Sequence, residues 1–156
     1  MYLHPRERII CKMKKSLQTA ILIRKFNRFY LPYFHLLTQK YLNTEYSVAE
    51  ARILYEIYEN KEISARDIVN NLHVDKGYLS RILKKLESKS LINREASNDD
   101  SRLTVISLTN NGETLAENLI GESIRQVEKD IMGISDSDLD KLSYHLEEII
   151  EILGGR

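Results

Sequence analysis

Apolar residues recur along most of this chain at spacings of three and four, the period of a helix with one buried face. From Arg6 to about Tyr41 the pattern predicts one long helix. Ile10, Met13, Leu17 and Ile21 form one stripe, and Leu22, Phe26, Phe29 and Tyr33 an adjoining one. Pro32 lacks a backbone donor and should kink that helix. Ser47-Val48-Ala49-Glu50 is a capping box that opens a second helix to about Glu59, with Ala51, Ile53, Leu54, Ile57 and Tyr58 on its buried side. Ser64 caps a third, which turns Ala65, Ile68, Val69 and Leu72 inward. After the tight turn Leu72-His73-Val74, Asp75 is placed to cap a fourth, in which Leu79, Ile82, Leu83 and Leu86 make one apolar face.

After Ser90 the period changes. Leu91–Arg94 and Leu103–Leu108 are short β-rich runs separated by a polar turn from Glu95 to Ser101, and Ile63 is placed to add a third short strand. Helices resume at Thr109, with Leu115, Leu119, Ile124, Val127 and Ile131 marking a long one that reaches about Met132 and stops at Gly133. Ser135 or Asp136 caps the last, where Leu139, Leu142, Leu146, Ile149 and Leu153 alternate spacings of three and four, a coiled-coil-like seam. A helix-turn-helix followed by a two-stranded ribbon is a winged helix. The expected architecture is mainly α with a small β-wing: residues 1–45 an N-terminal dimerisation helix, 46–109 the winged helix-turn-helix, 110–156 C-terminal dimerisation helices, all in one structural domain.

The chemistry lies on the outer face of the fourth helix. Lys76, Gly77, Tyr78, Ser80 and Arg81 occupy its first turns, where a recognition helix reaches base edges. Lys84 and Lys85, further along, are placed to hold phosphates. At the ribbon turn Asp100-Ser101-Arg102 sets an acid beside an arginine; an extended Arg102 suits the negative potential of a minor groove, with Asp100 fixing its rotamer. Arg94 is placed either to pair with a wing acid or to touch a phosphate, and the structural role is the one expected. Amphipathic helices with basic outer faces are common, so the helix alone would read as a solvated surface; it is the helix-turn-helix spacing and the wing that point to DNA.

Asp100-Ser101-Arg102 followed by Val105–Thr109 and Gly112 resembles the wing signature of the MarR family of bacterial and archaeal transcriptional regulators. Tyr78–Glu87 resembles the family's recognition helix, with Ser90 standing where the family usually has glycine. Phe26–Tyr30 is similar to members in which such a domain precedes an acetyltransferase, here expected without that second domain. The resemblance implies a DNA-binding homodimer and, in many members, a small aromatic effector. Tyr30, Tyr33, His35 and Tyr55, with Tyr58, are candidates to line such an effector cleft; buried tyrosines are also ordinary core residues with satisfied hydroxyls. Some members sense peroxides through a cysteine in the first helix, and Cys11, near Arg8, Lys12, Lys14 and Lys15, invites that reading beside the plainer one of helix packing.

Charge narrows the picture without naming it. The chain carries 23 Lys+Arg and 23 Asp+Glu, a net charge of zero. Residues 1–45 carry +7, 46–63 carry −2, 64–102 carry +2 and 103–156 carry −7, so only part of the surface suits a polyanion. One cysteine rules out an internal disulfide, and the four histidines show no ligand spacing. No apolar run approaches the roughly 20 residues of a membrane span. No nucleophile elbow, Walker loop or HExxH is present, and Asp99-Asp100 sit in a turn. The expectation is a cytoplasmic non-enzyme without metal or cofactor: a sequence-specific double-stranded DNA-binding regulator, a homodimeric repressor on a pseudo-palindromic operator, open to an aromatic effector. The competing expectation is a winged-helix protein-interaction module, or an antagonist without an operator of its own.

Overall fold

The computed structural model describes residues 15–34, 36, 40–96 and 104–154. The chain forms two compact units, Met1–Ser123 and Ile124–Arg156. The elements in order are α1 (Lys15–Tyr33), a 3-10 turn (Tyr41–Asn43), α2 (Val48–Asn60), β1 (Glu62–Ser64), α3 (Ala65–Leu72), α4 (Lys76–Ser88), β2 (Ile92–Ala96), β3 (Thr104–Leu108), α5 (Asn110–Asp130) and α6 (Asp136–Gly154). A helix-rich chain with one small antiparallel sheet is the architecture the hydrophobic pattern predicts.

The capping chemistry fixes where the helices start. Ser47 Oγ accepts from the Glu50 N–H while Glu50 Oε2 accepts from the Ser47 N–H, so both halves of the capping box are formed. Ser64 Oγ accepts from the Asp67 N–H and Ser135 Oγ from the Asp138 N–H. The sheet runs β1-β3-β2, all antiparallel, with Ile63 opposite Ile106 and Arg94 opposite Ile106 on the other side. β3 is therefore the middle strand. Its Ile106 shares one core with Ile53, Leu54 and Ile57 of α2, Ile68 of α3, and Leu79, Leu83 and Leu86 of α4. Leu119 of α5 joins the same core.

Three expectations change. The first helix does not run to Tyr41: α1 ends at Tyr33, one residue past Pro32. Pro32 cannot donate to the turn before it; beyond it the Leu36 N–H reaches back to the Leu31 carbonyl, a wider loop than an α-turn, and Leu42 takes a left-handed φ of 52°. Ala65 is exposed, not inward, because the first turn of α3 lies outside the core that Ile68 enters. Tyr58 is half-buried, with its hydroxyl 3.4 Å from Glu117 Oε1 on α5.

The root of the wing is held by a close approach of backbone to backbone. Thr109 donates its N–H to the Leu91 carbonyl and its hydroxyl to the Ser90 carbonyl, and Thr109 Oγ1 accepts from the Gly112 N–H. A Cβ at Gly112 would collide with the Leu91 carbonyl oxygen and stand 3.3 Å from Leu108 Cβ. Just before it, Ser90 sits at φ 55°, where a side chain strains the backbone. These two positions should respond with opposite sign. Gly112→Ala should lower stability by about 1–3 kcal/mol, as overpacking does, whereas Ser90→Gly should raise it by about 0.5–1 kcal/mol. Thermal melts of the two variants beside the parent check both signs.

Candidate nucleic-acid interface

α4 starts where Asp75 Oδ1 accepts from the Tyr78 N–H at 2.9 Å. His73, left-handed at φ 51°, closes α3 and makes the turn between the two helices tight. Leu79, Ile82, Leu83 and Leu86 bury one face of α4. At about 100° per residue the opposite crest belongs to Gly77, Arg81, Lys84 and Ser88. Lys76, Ser80 and Glu87 fall on the flank toward α3 and β2, and Tyr78 and Lys85 on the flank toward α2. Lys76, Gly77, Tyr78, Ser80, Arg81 and Lys84 are all exposed. The Arg81 guanidinium carbon stands 5.9 Å from the Tyr78 ring centroid, within cation–π reach, which steadies a long side chain on an open surface.

Between α3, α4 and β2 lies an open cleft of about 300 Å³. Arg66, Lys76, Ser80 and Arg94 supply its polar lining, and Val69 and Leu83 its apolar part. Arg94 Nε is 3.4 Å from Glu87 Oε2, and its Nε and Nη2 are buried without a hydrogen bond. Among the described residues its charge partner lies on α4, so it links β2 to that helix. Arg66 is the cation in this cleft that the sequence reading did not single out. Its only signal was its place in the first turn after the Ser64 cap, the end of a helix that commonly faces the backbone.

On the other flank Lys85 is paired with an acid of the same molecule. Its Nζ is 2.6 Å from Glu50 Oε1, and Glu50 is buried, at 6% exposure. Burial pushes the Glu50 carboxyl up, but the Lys85 hydrogen bond, the Ser47 N–H and the Lys85 charge together outweigh it and hold the group below its ordinary 4.5. Removing a partner from a buried acceptor costs roughly 1–3 kcal/mol, whereas an exposed ion pair is worth about 0–1 kcal/mol. Lys89 Nζ, one turn later, is 2.6 Å from Glu45 Oε2 and 4.8 Å from the Tyr46 ring centroid. The Glu45 hydrogen bond raises the Lys89 pKa, and the same bond lowers that of Glu45.

Among the described residues, no tyrosine lines the α1 cleft or the α3–α4–β2 cleft. Tyr30 and Tyr33 belong to a ring ladder along α1: Phe26 to Tyr30 at 5.2 Å, Tyr30 to Phe34 at 4.9 Å, Phe29 to Tyr33 at 5.2 Å. Tyr55 lies exposed on α2. A shallow cleft on α1 is lined by Ile23, Arg24, Asn27 and Leu31, none of them tyrosines. His35, Cys11, Asp100 and Arg102 lie outside the described residues. Among the described residues no helix is long and apolar enough to cross a membrane, and no group of His, Cys, Asp and Glu is arranged to hold a metal ion.

A short helix-turn-helix, a sheet in which the strand before α3 pairs with the wing, and an exposed second helix define a winged-helix protein. The MarR family model matches residues 47–104. The organic hydroperoxide resistance transcriptional regulator of Bacillus subtilis is 30% identical over 115 residues, 72% of this chain and 74% of its own length. The regulator MgrA of Staphylococcus aureus is 28% identical over 98 residues, 63% of this chain and 65% of its own. Among solved structures, a mutant MarR from E. coli complexed with operator DNA superposes with a TM-score of 0.67 at 21% identity, covering 88% of this chain and 99% of that one. BpsR of Bordetella bronchiseptica, whose structure concerns regulation of its DNA binding by 6-hydroxynicotinic acid, gives 0.64 at 18% identity, covering 85% and 98%. The chain belongs to the MarR family, a family of winged-helix transcriptional regulators.

The buried carboxylate gives a pH signature. Because Glu50 is held below 4.5 in the fold, its contribution is present above that pH and is lost as pH falls through its folded value. Melting temperature followed from pH 7 down to about pH 3 should fall for the parent, and the gap between parent and Glu50→Gln should narrow below about pH 4.5. A gap constant across that range would mean that the charge of Glu50 adds nothing to stability.

Proposed function

We propose that this protein is a sequence-specific double-stranded DNA-binding regulator that acts as a homodimeric repressor on a pseudo-palindromic site. The observation that carries the reading is the exposed side of α4: a helix locked into the core on one face and leaving Lys76, Gly77, Tyr78, Ser80, Arg81 and Lys84 exposed on its crest and flanks. Arg81 offers the planar fork that guanine accepts, Ser80 and Tyr78 offer adaptable hydroxyls, and Lys84 a point charge for phosphate. The likeness in fold to MarR complexed with operator DNA supports this docking. In this reading Arg102 enters the flanking minor groove.

The second subunit is supported by what α6 leaves uncovered. Leu142, Leu146, Ile149 and Leu153 are between 39% and 54% exposed, on one seam of spacings three and four. A contiguous apolar face of this kind marks an interface, and a two-fold dimer is the commonest way to close one. Two recognition helices about one DNA turn apart would then read an inverted repeat. An effector such as the one regulating BpsR would act by favouring a separation of the two heads that fits no site. We assign it no pocket. The net charge of zero favours the rival reading, a protein-interaction module.

Selection of bound sequences from a random duplex library should enrich an inverted repeat, and Arg102→Ala should lose most of that enrichment while its melt stays unchanged. Affinity for the enriched duplex should fall steeply with salt, as release of counterions from phosphates demands. No enrichment, with no salt-dependent binding even at low ionic strength, would favour the protein-interaction module.

The double variant Leu142→Glu, Leu146→Glu should sediment as a monomer at concentrations where the parent is a dimer. A parent that sediments as a monomer would remove the two-fold reading.

A further inference from the structure

Lys84 and Lys85 are neighbours in sequence and equal in charge, yet the helix points them to different surroundings. Lys84 stands on the crest of α4; Lys85 is turned about 100° away, toward α2. There the two oxygens of the Glu50 carboxylate are both engaged. Oε1 meets Lys85 Nζ at 2.6 Å, and Oε2 accepts from the Ser47 N–H at 2.8 Å and from the Ser47 hydroxyl at 3.1 Å. One turn further on, Lys89 holds Glu45 and lies over the ring of Tyr46, itself a core residue. The Tyr46 carbonyl accepts from the Tyr41 N–H at 2.7 Å, which brings the 3-10 turn into the same cluster.

We propose that Lys85 is a positioning residue for DNA reading: with Lys89 it clamps the recognition helix to residues 45–50 and sets the stance of the α4 crest, and it does not serve as a phosphate contact. This rests on the DNA-binding reading above and sorts its cations into those that touch DNA and those that aim the helix. A Lys85 ammonium that swung out to a phosphate would leave the buried Glu50 carboxylate without its cation. The one that stays leaves Arg81 and Lys84 on the crest as the charges free to meet the duplex. A phosphate-holding lysine strengthens binding to every sequence alike and adds to the salt dependence. A lysine that only aims the helix affects the chosen sequence more than a random one and leaves the salt dependence alone.

The test uses the full chain, the enriched duplex and a random-sequence duplex of equal length, titrated across salt. Lys84→Met should weaken both duplexes alike and reduce the slope of log affinity against log salt by about one per protomer. Lys85→Met should weaken the enriched duplex at least tenfold more than the random one, with the slope unchanged, and Lys85→Arg should restore discrimination. Glu50→Gln keeps an amide able to complete the capping box, so it serves where Lys85→Met folds poorly. It should show the same loss of discrimination, and adding Lys85→Met to it should change little more, as for two residues acting through one contact. A reduced slope for Lys85→Met, an equal loss on both duplexes, or no loss at all would each overturn the proposal. Failure of the parent itself to bind either duplex would overturn the DNA-binding reading instead.

Discussion

Glu50 carries its charge in a place that water scarcely reaches, and much of the winged unit is arranged so that it can. A carboxylate there requires a donor on each oxygen. The chain supplies them from two directions: Ser47, just ahead on the same helix, and Lys85, from the recognition helix. The pairing ties the start of α2 to the middle of α4 by a contact that is directional, unlike the leucine and isoleucine packing beneath it. Hydrophobic burial holds α4 against the core but is tolerant of a small roll about the helix axis. The ion pair adds a polar tie between Lys85 Nζ of α4 and Glu50 Oε1 of α2. For a helix whose outer side chains must meet a duplex in register, that distinction matters more than the net energy of the pair.

Much of the fold was legible in the sequence because the deciding interactions are local. The Ser47–Glu50 box, the Asp75 cap and the four-residue apolar face of α4 all depend on residues within one to three turns of each other. Ser90 was legible for a different reason: the turn after α4 needs a left-handed residue whatever its identity, and the MarR-like pattern marks the place. The end of α1 was less so. Proline inside a helical pattern permits either a kinked continuation or a stop, and the stop was decided by the Leu31–Leu36 turn, which no periodicity encodes.

The site was read less evenly than the fold. The exposed crest of α4 follows directly from helical geometry once the buried face is known, so Lys76 to Lys84 could be placed from spacing alone. The ion pair of Lys85 could not, because its partner Glu50 is distant in sequence and recognisable only as a cap. Arg94 and Glu87 make the same point on the other flank. A basic residue on a helix is an offer of charge, and only the tertiary structure shows whether an acid of the same molecule has already accepted it.

Ser64 has two employments that bind distant parts of the chain into a single event. It is the last residue of β1, opposite Val105 in the sheet, and its hydroxyl is the cap of α3. The backbone that pairs with the wing is therefore the backbone that starts the first helix of the helix-turn-helix. Peeling β1 from β3 would unseat the cap, and unwinding the first turn of α3 would pull on the sheet. The wing and the helix-turn-helix are not two modules joined by a hinge but one cooperative body. A disturbance at the sheet is felt in the helix pair without any rigid lever to carry it.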